Sequence, residues 1–344
     1  MNTKKKVIVA MSGGVDSSVA AALLKKEGFE VIGVTMLLGP SDNAADEAEE
    51  VASYLRIPYH VLDFRSLFEE KVIKDFCNEY KMGRTPNPCV KCNQHIKFDA
   101  LLKKADELGA GFVATGHYSR IQKFGKNYKL LKGIDGSKDQ SYMLYRLDQK
   151  NLSRAVMPLG NLTKEEVNAI ARQLVLPVSK REESQEICFV PDEDYGKFLK
   201  DYIPEAVHPG PILDKDGNIL GMHGGIMFYT IGQRKGLGAF GEPKYVVSID
   251  KERNALIVGG RDETLGNELI AEDIRLPHLE RLQERMQVTA KIRYNSPEAE
   301  ALLKPIGDDK IHVKFRKPQK SISPGQSVVF YKEGEVIGGG IICK

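Results

Sequence analysis

Short apolar runs alternate with longer amphipathic stretches through the first two hundred residues. Val7-Ile8-Val9-Ala10 reads as a buried strand, and residues 17–27 carry Val19, Ala22, Leu23 and Leu24 on one side of a helix that Gly28 stops. The alternation continues with strands over 31–36 and 59–62 and a helix over 46–55 whose acidic residues form a solvated face. A helix over 96–108 then ends at Gly109, and a strand over 112–115 runs into Gly116-His117. Strands separated by helices predict an α/β fold, a parallel sheet with helices on both faces. Ligands of such sheets bind beyond the carboxyl ends of the strands. The segment after Ala10, together with Met36 and Gly116-His117, falls at those ends and converges on one crevice.

From about residue 205 the texture changes. Gly and Pro become frequent, as in His208-Pro209-Gly210-Pro211 and Gly221-Met222-His223-Gly224-Gly225. Short apolar alternations over 245–249, 255–258, 288–292, 311–315, 327–331 and 336–342 replace the helices. In the last stretch, from 288 to 342, such spacing predicts a small antiparallel barrel. Gly338-Gly339-Gly340 reads as a strand bend, since no helix follows it. The expected organisation is an α/β domain over 1–204, a small β-rich domain over 205–272 and a C-terminal β-barrel over 273–344.

Composition narrows the class only slightly. A chain of 344 residues exceeds one core, and 42% hydrophobic with 28% charged residues is ordinary for a globular protein. No apolar stretch approaches a membrane span, and Lys4-Lys5-Lys6 precedes a run too short for a signal peptide, so the expected compartment is the cytosol. A net charge of +3 implies no partner by itself, although a local basic patch suffices for RNA. Five cysteines, an odd number, argue against a disulfide framework and for reactive or metal-binding thiols.

The chemistry starts at Met11–Ser18, MSGGVDSS, where a strand must turn into a helix. Gly13 and Gly14 open the backbone, and the free N–H groups of the following helix, with the Ser17 and Ser18 hydroxyls, suit an anion such as phosphate. The Walker lysine and the G-x-G-x-x-G fingerprint are both missing. Residues 83–98, GRTPNPCVKCNQHIKF, read as an extended loop held by Pro86 and Pro88 and leading into a helix from about Asn93. That places Cys92 near a helix N-terminus, with Lys91 and Lys97 adding positive charge. Cys89 and Cys92 form C-x-x-C, a spacing open to redox pairing, metal or cluster binding; a four-cysteine zinc site lacks its second pair. Cys188, between Ile187 and Phe189, reads on its own as a buried apolar residue, and Cys77 and Cys343 as unremarkable. Residues 138–144, KDQSYML, read as an exposed charged element near the crevice.

The loop Ser12-Gly13-Gly14-Val15-Asp16-Ser17-Ser18 resembles the pyrophosphate loop of the ATP-pyrophosphatase family. With TPNP-x-x-x-C-N-x-x-I-K-F, G-H-Y, K-D-Q-S-Y, S-Q-x-I-C-F and Y-T-I-G-Q-R-K-G-L-G in order, nearly the whole chain resembles the bacterial tRNA-specific 2-thiouridylase family. The resemblance implies ATP binding by Ala10, Met11, Ser12, Gly13, Gly14, Val15, Asp16, Ser17, Met36 and Gly116, with Mg²⁺ balancing the pyrophosphate. It implies that Cys92 is the nucleophile in a thiol exchange and that Cys188 carries a persulfide delivered by a cysteine desulfurase or a sulfur-relay protein. It implies contact of Asn87, Pro88 and Cys89 with the target base of the tRNA anticodon loop. Contact of His117, Lys138, Asp139, Gln140, Arg293, Tyr294 and Gln326 with tRNA follows in the same way. The basic residues Arg316, Lys317 and Lys320 are phosphate-contact candidates. The implied reaction is ATP-dependent 2-thiolation of the wobble uridine, within a cleft where the activated base and both sulfurs meet.

Two departures from the family pattern stand out. Many members have Asp where this chain has Cys89, so Cys89, Cys92 and Cys188 could instead hold an iron–sulfur cluster with an open iron. Residues 37–45 replace a longer loop, which bears on how ATP is covered. Competing readings are another adenylating ligase of the same loop family, independent of the cysteines, a non-catalytic RNA-binding module, and a zinc-stabilised structural protein.

Overall fold

The computed structural model describes residues 5–39, 44–177, 187–190, 194–278 and 281–344. The chain forms two compact units: Met1–Val72 with Cys89–Gln185 and Lys332–Ile337, and Ile73–Pro88 with Glu186–Tyr331 and Gly338–Lys344.

The first unit is built on β1 (Lys6–Ala10), α1 (Val15–Lys26), β2 (Glu30–Leu37), α2 (Ala44–Leu55), β3 (Tyr59–Asp63), β4 (Phe112–Ala114), the hairpin β5 (Ser119–Phe124) and β6 (Asn127–Lys132), and β7 (Ala155–Val156). Its sheet runs β3-β2-β1-β4-β7, with every pairing parallel. β1 lies at the centre, and Val7, Ile8 and Val9 are wholly buried. Each such side chain contributes about 1.5–3 kcal/mol by leaving water. The small residues Ala20, Ala21 and Ala22 let α1 pack closely, Ala21 beside Val7 and Val9, and Ala20 and Ala22 toward Leu159 and Val167. Gly28 ends the helix at φ +88°, in the left-handed region glycine tolerates.

Three features of this unit differ from the sequence expectation. The helix expected from Asn93 begins at Pro88, runs as Pro88–Cys92 and continues as a π-helix over Asn93–Ala100. Pro88 occupies its first position, where a missing N–H costs nothing, so this proline starts the helix. Cys92 is therefore a full turn inside, beyond the reach of the terminal dipole. The hairpin β5–β6, which pairs Ser119 with Lys132 through Phe124 with Asn127, was not expected because its charged alternation hides the strand period. Leu131 of β6 also pairs with Glu335, whose carboxylate meets Lys129 Nζ at 2.7 Å. Lastly, residues 138–144 are not an exposed element, since Asp139, Ser141, Tyr142 and Leu144 are all buried.

The second unit contains β8 (Gly210–Leu213), β9 (Ile219–His223), β10 (Tyr245–Asp250) and β11 (Ala255–Gly259), ordered β10-β11-β8-β9. Then come β12 (Leu265–Arg275), β13 (Met286–Lys291), β14 (Ala299–Ile306), β15 (Lys310–Lys320), β16 (Ser327–Lys332) and β17 (Glu335–Ile342). These pair as β12-β15-β14-β13-β16-β17, and β12 pairs with β17 to close a barrel. Gly338-Gly339-Gly340 lies in β17, as the bend reading required. A Cβ on Gly338 would stand 2.2 Å from the Arg275 carbonyl, so closure itself demands glycine there. The sequence reading missed β12 and β14. β14 reads AEALLKPI, rich in strong helix formers, and its place between β13 and β15 overrides that preference. Cys77 lies in a cluster with Phe76, Tyr80, Leu199 and Met227, in keeping with a packing role.

Candidate active site

The loop between β1 and α1 is shaped by its own bonds. Gly13 takes φ +72°, and a Cβ there would lie 2.6 Å from Glu47 Cβ. Gly14 caps α1 with no side-chain bond to the first turn, so the N–H groups of that turn remain available to an anion. The serine hydroxyls turn inward, against expectation. Ser17 Oγ donates to the Gly14 carbonyl at 3.1 Å and accepts from Ser12 N at 3.2 Å, and Ser18 Oγ donates to the same carbonyl at 2.8 Å. They brace the loop, and the backbone is left to face the ligand. Thr35, beside Met36 near the end of β2, donates to the Met11 carbonyl at 2.8 Å and ties the loop to the sheet.

Asp16 is the charged centre of this region. Its Oδ1 accepts from Lys164 Nζ at 2.7 Å and from the Tyr118 hydroxyl at 2.8 Å. Gly116 packs against α1: a Cβ would stand 3.0 Å from the Asp16 carbonyl carbon and from Ser17 N. The sequence reading missed Lys164 and Tyr118 as partners of Asp16. A signal for Lys164 existed in Thr163-Lys164-Glu165-Glu166, a capping box that opens the helix Lys164–Gln173 and fixes the lysine in its first turn. Among the described residues, the second Asp16 oxygen, Oδ2, has no hydrogen-bond partner.

His117 is buried beside Phe98 and bonded through Nδ1 to Thr115 Oγ1 at 2.7 Å. Burial, reinforced by the positive charge of Lys97, holds its imidazole well below the ordinary histidine range, so it is neutral. Gln140 and Tyr118 exchange two bonds, Gln140 N to the Tyr118 carbonyl and Tyr118 N to Gln140 Oε1, both 3.0 Å. Asp139 accepts from Gly133 N, Ser141 N and Ser141 Oγ at 3.0, 3.1 and 2.8 Å. Its carboxylate holds the turn that presents half-buried Lys138.

Cys89 and Cys92 sit three residues apart on the helix Pro88–Cys92, Cys89 half-buried and Cys92 buried. Burial pushes the Cys89 thiol up, with Lys97 opposing, so Cys89 is protonated at neutral pH. The helix is anchored beyond Cys92 by Asn93 Nδ2 to the Met143 carbonyl at 3.0 Å and by Arg146 Nε to Gln94 Oε1 at 2.6 Å. A π-helix in this position fits the habit of such segments of marking functional sites.

The remaining candidates belong to the second unit. Cys188 is exposed, next to Phe189, which stacks edge-on against Phe76 at 5.2 Å. The Ser184-Gln185-Glu186 part of its motif lies outside the described residues, as do residues 40–43 of the shortened loop. Arg293 Nη2 reaches the Ile231 and Ser321 carbonyls at 3.1 and 3.0 Å and Ser323 Oγ at 2.7 Å, pinning the YTIGQRKGLG segment to the barrel. Gln326 Nε2 donates to the Thr85 and Pro86 carbonyls at 3.0 and 3.1 Å and so sets the approach to Asn87 and Pro88. Tyr294 is half-buried, with Lys291 Nζ 5.6 Å from its ring centre. Arg316, Lys317 and Lys320 are exposed on β15, and Arg316 pairs with Glu300 at 2.7 Å. Among the described residues no group of three His, Cys, Asp or Glu side chains is arranged to hold a metal ion.

Comparison with known proteins settles the family. The models described as tRNA methyl transferase HUP domain, tRNA methyl transferase PRC-barrel domain and aminomethyltransferase beta-barrel domain match residues 5–192, 196–260 and 267–342. A tRNA-specific 2-thiouridylase of Caldanaerobacter subterraneus subsp. tengcongensis is 52% identical, covering 100% of this chain and 99% of its own length. The chain belongs to the tRNA-specific 2-thiouridylase family. A thiouridylase of Acetivibrio thermocellus is 49% identical over 99% of both chains, and one of Carboxydothermus hydrogenoformans is 50% identical over 99% of this chain and 98% of its own. The family's architecture is thus a HUP-type α/β domain, a PRC-barrel domain and a β-barrel, in agreement with the α/β fold and β-rich remainder expected from the sequence. Among the described residues no helix is long and apolar enough to cross a membrane.

Proposed function

We propose that this chain uses ATP to replace the C2 oxygen of the wobble uridine of tRNA with sulfur. The observation that carries the reading is identity of about half, end to end, with proteins named tRNA-specific 2-thiouridylases. The uncapped α1 N-terminus beside Asp16 and Lys164 supports it. The methyl transferase wording of two matched domain models yields to the curated names of these full-length relatives.

The chemistry needs a leaving group, because a urea-like carbonyl oxygen does not depart unaided. Adenylation of that oxygen makes AMP the leaving group and pyrophosphate the first product. The first-turn N–H groups of α1 receive the pyrophosphate oxygens, and Lys164 adds positive charge where negative charge accumulates. Ala10, Met11, Ser12, Gly13, Gly14, Val15, Asp16, Ser17, Met36 and Gly116 form the ATP site in this reading. Asp16 Oδ2 is the protein oxygen that would hold Mg²⁺, which would supply positive charge against the pyrophosphate. An iron–sulfur cluster fits less well, because the helix Pro88–Cys92 brings two thiols where a cluster with one open iron takes three.

Cys188 carries the outgoing sulfur as a persulfide. Its exposure suits loading by a cysteine desulfurase or relay protein in the cytosol. The terminal sulfur attacks C2, AMP leaves, and Cys92 thiolate attacks the Cys188 sulfur, so that the C2-bound sulfur is released as thiouridine and a Cys92–Cys188 disulfide forms. Asn87, Pro88 and Cys89 border the base, with Lys138, Arg293, Tyr294 and the Arg316 group toward tRNA phosphates. His117, Asp139, Gln140 and Gln326 act by position, through the bonds that His117 Nδ1, the Asp139 carboxylate, Gln140 Oε1 and Gln326 Nε2 make within the protein.

Mass analysis of tRNA nucleosides after incubation with ATP, Mg²⁺ and a persulfide donor tests the reading. The expected product is 2-thiouridine at the wobble position, with AMP formed in step. Cys92→Ser and Cys188→Ser each abolish it while ATP binding survives; thiolation persisting in either variant refutes the cysteine roles.

A further inference from the structure

Of the two thiols in the C-x-x-C helix, Cys89 has no part in the exchange just described. Cys89 precedes Cys92 by three residues within the helix Pro88–Cys92. Residues i and i+3 share one helix face, and helical geometry sets their Cα atoms about 5 Å apart. That separation lies inside the range of about 4.4–6.8 Å that disulfides span. We propose that Cys89 is the resolving thiol, which takes Cys92 back from Cys188 and leaves the oxidised pair inside the C-x-x-C helix.

The inference rests on the persulfide route and extends it by one balanced step. Cys89 thiolate attacks Cys92 Sγ. The Cys92–Cys188 bond breaks, the Cys89–Cys92 bond forms, and Cys188 departs as a thiolate that takes up the proton Cys89 gave to solvent. No external oxidant or reductant enters this step. Exposed Cys188 is then ready to receive the next sulfur, while a dithiol reductant restores Cys89 and Cys92. Departing Cys188 is exposed and therefore solvated as its bond breaks, which favours its release.

The test reads where the disulfide lies. Wild-type protein is supplied with tRNA, ATP, Mg²⁺ and a persulfide donor for one turnover, quenched by alkylation and mapped by peptide mass. The Cys89–Cys92 form is expected to exceed the Cys92–Cys188 form by about tenfold or more, and Cys89→Ser to reverse that ratio. A wild-type protein quenched with Cys92–Cys188 intact and Cys89 alkylated overturns the inference, as does anaerobically purified protein whose three thiols are bound to iron. A redox-buffer titration of Cys188→Ser tests the pair apart from catalysis. It should show one disulfide, absent from the Cys89→Ser/Cys188→Ser double variant, and failure to form at any potential overturns the proposal. Absence of 2-thiouridine from the wild-type reaction would instead sink the thiolation reading, and the titration would still report on Cys89.

Discussion

Of the two adjacent glycines in SGGVDSS, the geometry makes one indispensable and the other replaceable for stability. Gly13 stands at φ +72°, where an L-residue costs about 1–2 kcal/mol. The new methyl group would also meet Glu47 Cβ at 2.6 Å and Oε2 at 2.8 Å. Since Cβ cannot swing aside, the start of α2 must shift, an overpacking cost of about 1–3 kcal/mol. Gly13→Ala therefore loses about 2–5 kcal/mol, equivalent to a fall in melting temperature of roughly 5–20 °C for a unit of this size. Gly14 lies at φ −83° and ψ 165°, and its nearest new contact is Ser12 Oγ at 3.5 Å. Gly14→Ala stays within about 0.5 kcal/mol of the parent. Gly116→Ala falls between them, pressing backbone atoms of α1 at 3.0 Å. Glu47→Ala gives Gly13→Ala little relief, because the obstructing Cβ remains. Thermal unfolding followed by circular dichroism, with ATP binding by calorimetry, measures the series. Gly13→Ala melting with the parent, or Gly14→Ala melting as low as Gly13→Ala, would refute the reasoning.

Other expectations concern charge and cross-linking. His117 is held neutral in the folded protein, so only the unfolded chain gains this proton as pH falls below about 6.5, and stability drops by about 1.4 kcal/mol per pH unit. That contribution is complete above the ordinary histidine range. His117→Gln should remove one proton's share of the slope in chemical denaturation and leave the share of His223, also lowered by burial; an unchanged slope contradicts the assignment. Arg293→Lys strands the three acceptors served by Nη2 and should cost about 2–4 kcal/mol, seen as a lower melting temperature together with weaker tRNA retention in filter binding. Unaltered stability in that variant would show that the cross-link is idle.

The β1–loop–α1 unit was legible because its signals are local. An apolar run, two glycines and a helix with small buried residues are each read within a few neighbours. The same locality made the alternation of strands and helices, and hence the parallel sheet, accessible from the pattern alone. Cys92 was marked locally by the C-x-x-C spacing, whereas Cys188 entered only through the resemblance, since no spacing links residues so far apart in the chain. What stayed hidden depends on partners distant in sequence. Lys164 becomes significant through a carboxylate 148 positions away, at 2.7 Å. β14 is composed like a helix and becomes a strand because β13 and β15 take up its backbone bonds. Asp139 and Gln140 looked solvent-facing in a charged triplet, yet the fold surrounds them with N–H groups that consume their oxygens. Local periodicity sets which segments are helical or extended. Which polar groups are left over for chemistry is decided only when the folded chain has satisfied the others.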